Sequence, residues 1–379
     1  MKKRRNYLLV CILFVVSLFV SSCSGKDKSL DPVRIKDYQI EHETEFGGVY
    51  IQISIDDFNA VGFAYGDSVD VEFSNGYSLK DIPYFNGYYV DPGEALLISY
   101  PGYKCVKVSL NYGEDVWKLG KLDDSMTASV KLVERGKYLD IQKARDIHYY
   151  DDRENYPSDE VFANFREVTV GNISKGTFYR SASPCDNQHN RAPYVERLIE
   201  KAEVGCILDL ADDVKKIEKY ISKDDFDSGY FLKLYSDGKV IPLAMSMNFY
   251  SDDFTSKLAD GLRRMASLEG PYLVHCTEGK DRTGFVCMIL EALCGATYSE
   301  IVDDYMITYD NYYEINPEKD NEKYELIRDK NLIPMIKTMV GDDKVDITEA
   351  DLSEEAFEYL LDAGMTEQEI EMLIEHLCK

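Results

Sequence analysis

The chain has 379 residues, 45% of them hydrophobic, enough apolar material for two domains or one large one, and this excludes global disorder. Lysine and arginine number 43 against 69 aspartates and glutamates, a formal net charge of −26 at pH 7. A chain this acidic is not held to nucleic acid or to an anionic membrane by general charge, so any anion site in it must be a local cationic spot.

Lys2, Lys3, Arg4 and Arg5 precede an apolar stretch at 7–20, and Ser21, Ser22 and Cys23 follow. A positive flank, an apolar middle and small residues predict an export signal over 1–23 rather than a folded element. Val20-Ser21-Ser22-Cys23 resembles a bacterial lipobox. The resemblance implies lipidation at Cys23 and a lipoprotein anchored to a cell membrane, facing outside the cytoplasm. Such an anchor gives membrane contact without a spanning helix. A plain membrane anchor or an ordinary cleaved signal are the alternatives.

Residues 24–36 are polar and suit a tether. From about 40 to 135 the dominant period is two, as in Val49, Ile51, Ile53 and Ile55, in Val69, Val71 and Phe73, in Val106, Val108 and Leu110, and in Met126, Ala128, Val130 and Leu132. Ser74-Asn75-Gly76, Pro92-Gly93 and Pro101-Gly102 supply turns between these runs. Alternation broken by turns predicts a small antiparallel β domain, a barrel or sandwich, over 24–140.

Beyond 140 the texture becomes α/β, and a second domain is predicted over 141–379. Tyr194, Val195, Leu198, Ile199 and Ala202 share one helical face, and Cys206-Ile207-Leu208 reads as a buried strand. A helix with Asp252 as N-cap and Gly270 as its stop follows, then the strand PYLVHC and the helix RTGFVCMILEALCG, which Gly295 ends. The last helix begins at Thr366. Strands alternating with helices predict a mostly parallel sheet flanked by helices. The nine cysteines include no CxxC, and the five histidines are scattered. No metal, cofactor or disulfide framework is therefore expected.

Residues 275–284, HCTEGKDRTG, join the strand to the helix. Amides in such a loop and in the first helical turn lack internal partners, and the helix end carries partial positive charge, so both favour an anion. Arg282 adds a planar two-pronged donor. Cys276 in that setting is a thiolate nucleophile, and Gly279 and Gly284 allow close backbone approach. A nucleotide-binding loop is excluded because Asp281, not serine or threonine, follows Gly279-Lys280.

The motif resembles the signature loop of cysteine-dependent tyrosine and dual-specificity phosphatases, in the bacterial branch reading HCxxGKDRTG, whose members act on phosphoproteins and phosphoinositides. Asn164-Phe165-Arg166-Glu167, Phe178-Tyr179-Arg180-Ser181 and Ile207-Leu208-Asp209-Leu210 resemble further elements of that branch, although Ala211 stands where it has arginine. The resemblance covers about 160–379 and implies the cysteine-phosphatase fold. Residues 62–73 resemble the C-terminal barrel of the S-adenosylmethionine hydroxide adenosyltransferases, without implying activity.

The resemblance implies a phosphocysteine at Cys276 and phosphoryl binding by Arg282, within a substrate loop of His275, Thr277, Glu278, Gly279, Lys280, Thr283 and Gly284. Thr283 would hydrogen-bond the sulfur and His275 would orient the loop. Asp281 is the first candidate for the general acid, with Asp237, Asp252 and Asp253 as alternatives. Lys280 would add charge beside the phosphate. The expected function is an exported phosphomonoester hydrolase acting on phosphotyrosine in proteins. An inositol phosphate or phosphoinositide phosphatase is the second reading, and a surface protein that binds phosphorylated ligands without turnover is the third.

Overall fold

The structure, a computed structural model, describes residues 33–379 apart from Phe46, Asp225 and Asp343. The expected signal at 1–23, with Cys23, lies outside the described residues. Among the described residues no helix is long and apolar enough to cross a membrane.

Seven strands close a barrel: β1 (Arg34–Glu43), β2 (Gly48–Ser54), β3 (Ser68–Phe73), β4 (Ser78–Phe85), β5 (Ala95–Ile98), β6 (Cys105–Leu110) and β7 (Thr127–Glu134), in the order β1-β2-β6-β5-β4-β3-β7. The alternating residues of these strands fill its interior. Ile55 departs from the expected pattern: Ser54 accepts the Asp57 amide and starts the short helix α1 (Ile55–Ala60). The barrel is not wholly antiparallel either. β4 and β5 run parallel, pairing Tyr84 with Leu97 and Phe85 with Ile98, because residues 86–94 carry the chain back to the same end instead of turning it in a hairpin. β5 shows no alternation because it is covered on both sides. Leu97 faces the barrel core, while Leu96, Ile98 and Phe85 form a separate cluster with Tyr138 and Ile141.

After α2 (Val116–Leu119), the helix α3 (Leu139–Arg145) straddles the predicted boundary at 140. Gln142 Nε2 donates to Asn86 Oδ1 on the barrel side, and Asp140 receives Lys330 from the helical side.

The second layer is a five-stranded sheet of β8 (Arg166–Glu167), β9 (Phe178–Ser181), β10 (Cys206–Asp209), β11 (Val240–Pro242) and β12 (Tyr272–His275), in the order β11-β10-β12-β9-β8. β11, β10, β12 and β9 run parallel, and the edge strand β8 runs antiparallel to β9. The helices before and around it are α4 (Asp159–Phe162), α5 (Ala192–Lys201), α6 (Val214–Ile221), α7 (Gly229–Ser236), α8 (Asp252–Ala266) and α9 (Asp281–Leu293). The remainder are α10 (Tyr298–Tyr313), α11 (Asn321–Ile327), α12 (Ile333–Val340), α13 (Leu352–Asp362) and α14 (Glu367–Leu377). Both faces of the sheet are covered. Leu208 and Val274 face the core formed with α8, α9 and α14, whereas Ile207 and Leu273 face α5 and α7. α8 is capped by Ser251 rather than Asp252, and it ends at Ala266, before Gly270. Thr366 caps α14 through a reciprocal bond with Glu369, as the sequence predicts.

Candidate active site

β12 is the central strand, and Cys276 follows its carboxyl end, where open α/β sheets present a crevice. The loop then turns sharply at Gly279, whose φ is 68°. A Cβ there would stand 2.2 Å from the Ser181 carbonyl oxygen, so only glycine fits. α9 starts at once, and from Thr283 to Leu293 it is buried throughout. The buried apolar helix fixes the loop's far end, and the sheet fixes its near end.

The loop's carbonyls face outward, each held by a donor. His275 Nδ1 lies 3.2 Å from the Cys276 oxygen, the Ser183 amide bonds Thr277 O at 3.2 Å, and the Tyr312 hydroxyl bonds Glu278 O at 2.7 Å. Gly279 O receives Asn164 Nδ2 at 3.1 Å and Arg180 Nη2 at 3.2 Å. Lys280 O takes the Gly284 amide. The amides behave oppositely: among the described residues none of those from 277 to 283 finds an acceptor. Arg282 Nε and Thr283 Oγ1 are also buried without partners. Donors left open beside a cysteine, with every carbonyl turned away, form a socket for an oxyanion. Cys276 lies at its floor with 4% of its surface exposed. Arg282 is braced across the opening, with Nη1 on Met245 O at 3.1 Å and Nη2 on Thr277 Oγ1 at 3.3 Å.

Behind the socket lies a buried ionic framework whose key member no sequence signal marked. Asp304 of α10 takes Arg166 Nε at 2.8 Å and Arg180 Nη1 at 2.6 Å. Burial alone would raise the Asp304 pKa, but Arg166 and Arg180 outweigh it and hold the carboxyl well below the usual range. The same two arginines, with Asn164, reach toward the loop, so Asp304 positions the Gly279 carbonyl through them. NFRE and FYRS are motif-like because they carry these arms. Asp304 lacks a motif and is placed only by tertiary packing.

A family model described as the tyrosine phosphatase family matches residues 160–379, more than half of the chain. The chain belongs to the tyrosine phosphatase family. A tyrosine-protein phosphatase of Nostoc commune is 41% identical over 61 residues, 16% of this chain and 20% of that protein, so the match spans about a fifth of the relative's length. Among solved structures, the core catalytic domain of the PP-IP phosphatase SIW14 from S. cerevisiae, in complex with citrate, is 21% identical over 48% of this chain and 93% of its own, with a TM-score of 0.26. P. aeruginosa TpbA, a cysteine-to-serine variant in complex with pTyr, is 15% identical over 42% of this chain and 84% of its own, with a TM-score of 0.26.

The roles expected of Thr283 and Lys280 change in the structure. Thr283 makes no bond to the Cys276 sulfur, since its hydroxyl has no partner among the described residues. Burial pushes the His275 pKa down to about 4, so the ring is neutral and acts on the loop through the Cys276 carbonyl rather than through charge. Lys280 turns away from a purely phosphate-directed role: its Nζ lies 3.2 Å from Glu278 Oε2, 3.8 Å from Asp281 Oδ2 and 3.2 Å from the Tyr313 hydroxyl. Burial would lower its pKa, but Asp281 and Glu278 outweigh that and push it well up. Glu278 is in turn fixed by the Tyr149 hydroxyl at 2.8 Å.

Of the acid candidates, Asp281 alone belongs to the loop, in the first turn of α9. Asp237 is excluded by topology. It caps the C-terminus of α7 and precedes β11, at the opposite end of the parallel strands from Cys276. Asp252 and Asp253 are exposed in the first turn of α8, where Asp253 pairs with Lys257 at 2.9 Å and both acids suit the helix N-terminus.

Proposed function

We propose that the chain is a cysteine-dependent phosphomonoester hydrolase acting on phosphotyrosine in proteins. The observation that carries this reading is the ring of acceptor-free amides at 277–283 around Cys276, completed by Arg282. Those donors bind the phosphoryl oxygens and stabilise the charge that builds on them as phosphorus is attacked. The Cys276 sulfur forms an S–P bond as the P–O bond to the substrate breaks. The departing oxygen takes a proton, and we assign its donation to Asp281, in the first turn of α9. Water then attacks the phosphocysteine, releasing inorganic phosphate and restoring the sulfur.

The engagement of Lys280 with Glu278, Asp281 and Tyr313 favours a single phosphomonoester over a multiply phosphorylated inositol ring, which needs free cations. Export and lipid anchoring at Cys23 rest on the N-terminal sequence and complete the proposal. The test compares a phosphotyrosyl peptide, phytate and soluble phosphoinositides, with wild type and Cys276→Ser in parallel. Turnover of the peptide should fall to background in Cys276→Ser while the peptide stays bound. Preference for phytate or a phosphoinositide would move the substrate to the inositol class. Binding without turnover in wild type would make the chain a phospho-ligand-binding protein.

A further inference from the structure

Beside the phosphate socket, on the side of β10, the metal-ligating side chains of Cys185, Asp209 and Asp212 converge, His275 lies beside Asp209, and Lys216 reaches only Asp212 Oδ1. Asp209 and His275 are direct cross-strand partners in β10 and β12. Asp212 follows on the loop after β10, and Cys185 follows β9. One ligand atom each from Cys185, Asp209 and Asp212 lies within 4.8 Å of the others. His275 Nε2 is 3.8 Å from Asp209 Oδ2, and neither residue has measurable exposure. We propose that Cys185, Asp209, Asp212 and His275 form a zinc site that braces the strand end carrying Cys276.

Asp209, Asp212 and His275 each have one atom engaged and another open. Asp209 Oδ1 accepts the amides of Ala211 at 2.9 Å and Asp212 at 3.1 Å, and its Oδ2 is buried without a partner. Asp212 Oδ1 is 3.8 Å from Lys216 Nζ, and its Oδ2 is likewise buried and unpartnered. His275 Nδ1 must carry the proton, since it faces a carbonyl oxygen at 3.2 Å. Its unpartnered Nε2 therefore presents a lone pair toward Asp209. An imidazole whose other nitrogen is held by a backbone carbonyl is the usual arrangement of a metal ligand. The Ser183 hydroxyl accepts the amides of Cys185 and Asp186, which leaves its proton free for the Cys185 sulfur at 3.5 Å.

Lone pairs facing lone pairs across a buried gap call for a shared cation. Ala211 supplies none, Arg282 acts on Asp209 and His275 by charge without bonding either, and Lys216 reaches only one Asp212 oxygen. Sulfur and nitrogen donors select zinc over calcium or magnesium, and four protein donors suit a closed tetrahedral site. Bonds of about 2.0–2.3 Å require the donors to draw together on binding, and the thiol proton is released to solvent. The proposal does not rest on the phosphoryl chemistry, although His275 also holds the Cys276 carbonyl.

The full chain is purified, its zinc content measured, and metal-stripped protein titrated with cobalt(II). The titration is made in the Cys276→Ser background so that the nucleophile cannot supply the sulfur. One zinc per chain and a thiolate-to-cobalt absorption band are expected. Cys185→Ser should abolish the band, and Asp212→Asn should weaken metal binding by about tenfold or more. Absence of both zinc and the band would overturn the proposal. So would a band of unchanged intensity and affinity in Cys185→Ser. If either variant fails to fold, the wild-type zinc content and the Cys276→Ser titration still decide.

Discussion

Asp281 occupies the first turn of α9 with its side chain a third exposed and Lys280 Nζ 3.8 Å away. A proton donor to a leaving group matters in proportion to how badly that group needs the proton. Asp281→Asn should therefore slow hydrolysis of phenyl phosphate by about 100-fold or more, and that of an activated aryl phosphate far less. Steady-state rates on the two substrates decide, and equal slowing removes Asp281 from the role. The loop's family resemblance pointed to this residue, and it could do so because the whole motif is local: a strand, a glycine that must turn, and a helix start lie within ten consecutive positions. It could not show what each side chain touches. Lys280 reads as a phosphate ligand until Glu278 and Tyr313 are placed beside it, and Thr283 reads as a partner of sulfur until its hydroxyl is found alone.

β8, β9 and α10 meet in the Arg166–Asp304–Arg180 framework, so their mutual packing is tied to the loop. Removing the shared carboxylate strands two buried guanidinium groups, at a cost of about 3–5 kcal/mol. Asp304→Asn should thus lower unfolding stability at pH 7 by that amount in denaturant titration and reduce turnover as the Gly279 carbonyl loses its restraint. The Asp304 pKa is depressed in the folded state, so its contribution is complete above the unfolded value and disappears as pH falls below about 4. The gap between wild type and variant should narrow in acid, and a constant gap would contradict the ion-pair account. Elements were legible where one periodicity ruled, as in β2, β3, β6, β7 and α5. β5 was not, because Leu96, Leu97 and Ile98 are all buried and strands covered twice show no period. Asp304 was not, because it stands 28 positions beyond Cys276 on another helix. The Cys185, Asp209, Asp212 and His275 cluster has no spacing signature for the same reason.

At the scale of the molecule, the barrel and the helical layer enclose a cavity of about 470 Å³. Tyr88, Tyr103 and Tyr112 from the barrel face Phe249, Met335 and Asp281 from the other side. α3 pins the two parts together through Asn86 and Lys330. Two parts were expected from the change of texture near 140, but the wall they share was not, since it forms only when distant segments meet. The proposed anchor acts at this scale as well. In a bacterial host, Cys23→Ser should move the chain out of the membrane fraction and abolish fatty-acid labelling. Persistent labelling would rule out acylation at that position.

The outward ties on the loop's carbonyls have one more consequence. Because His275, Ser183, Tyr312, Asn164 and Arg180 already hold the peptide planes in place, an arriving oxyanion displaces solvent but need not rearrange the chain. The receptor is finished before its guest appears, and tetrahedral or trigonal-bipyramidal mimics such as vanadate should fill it with little change in backbone conformation.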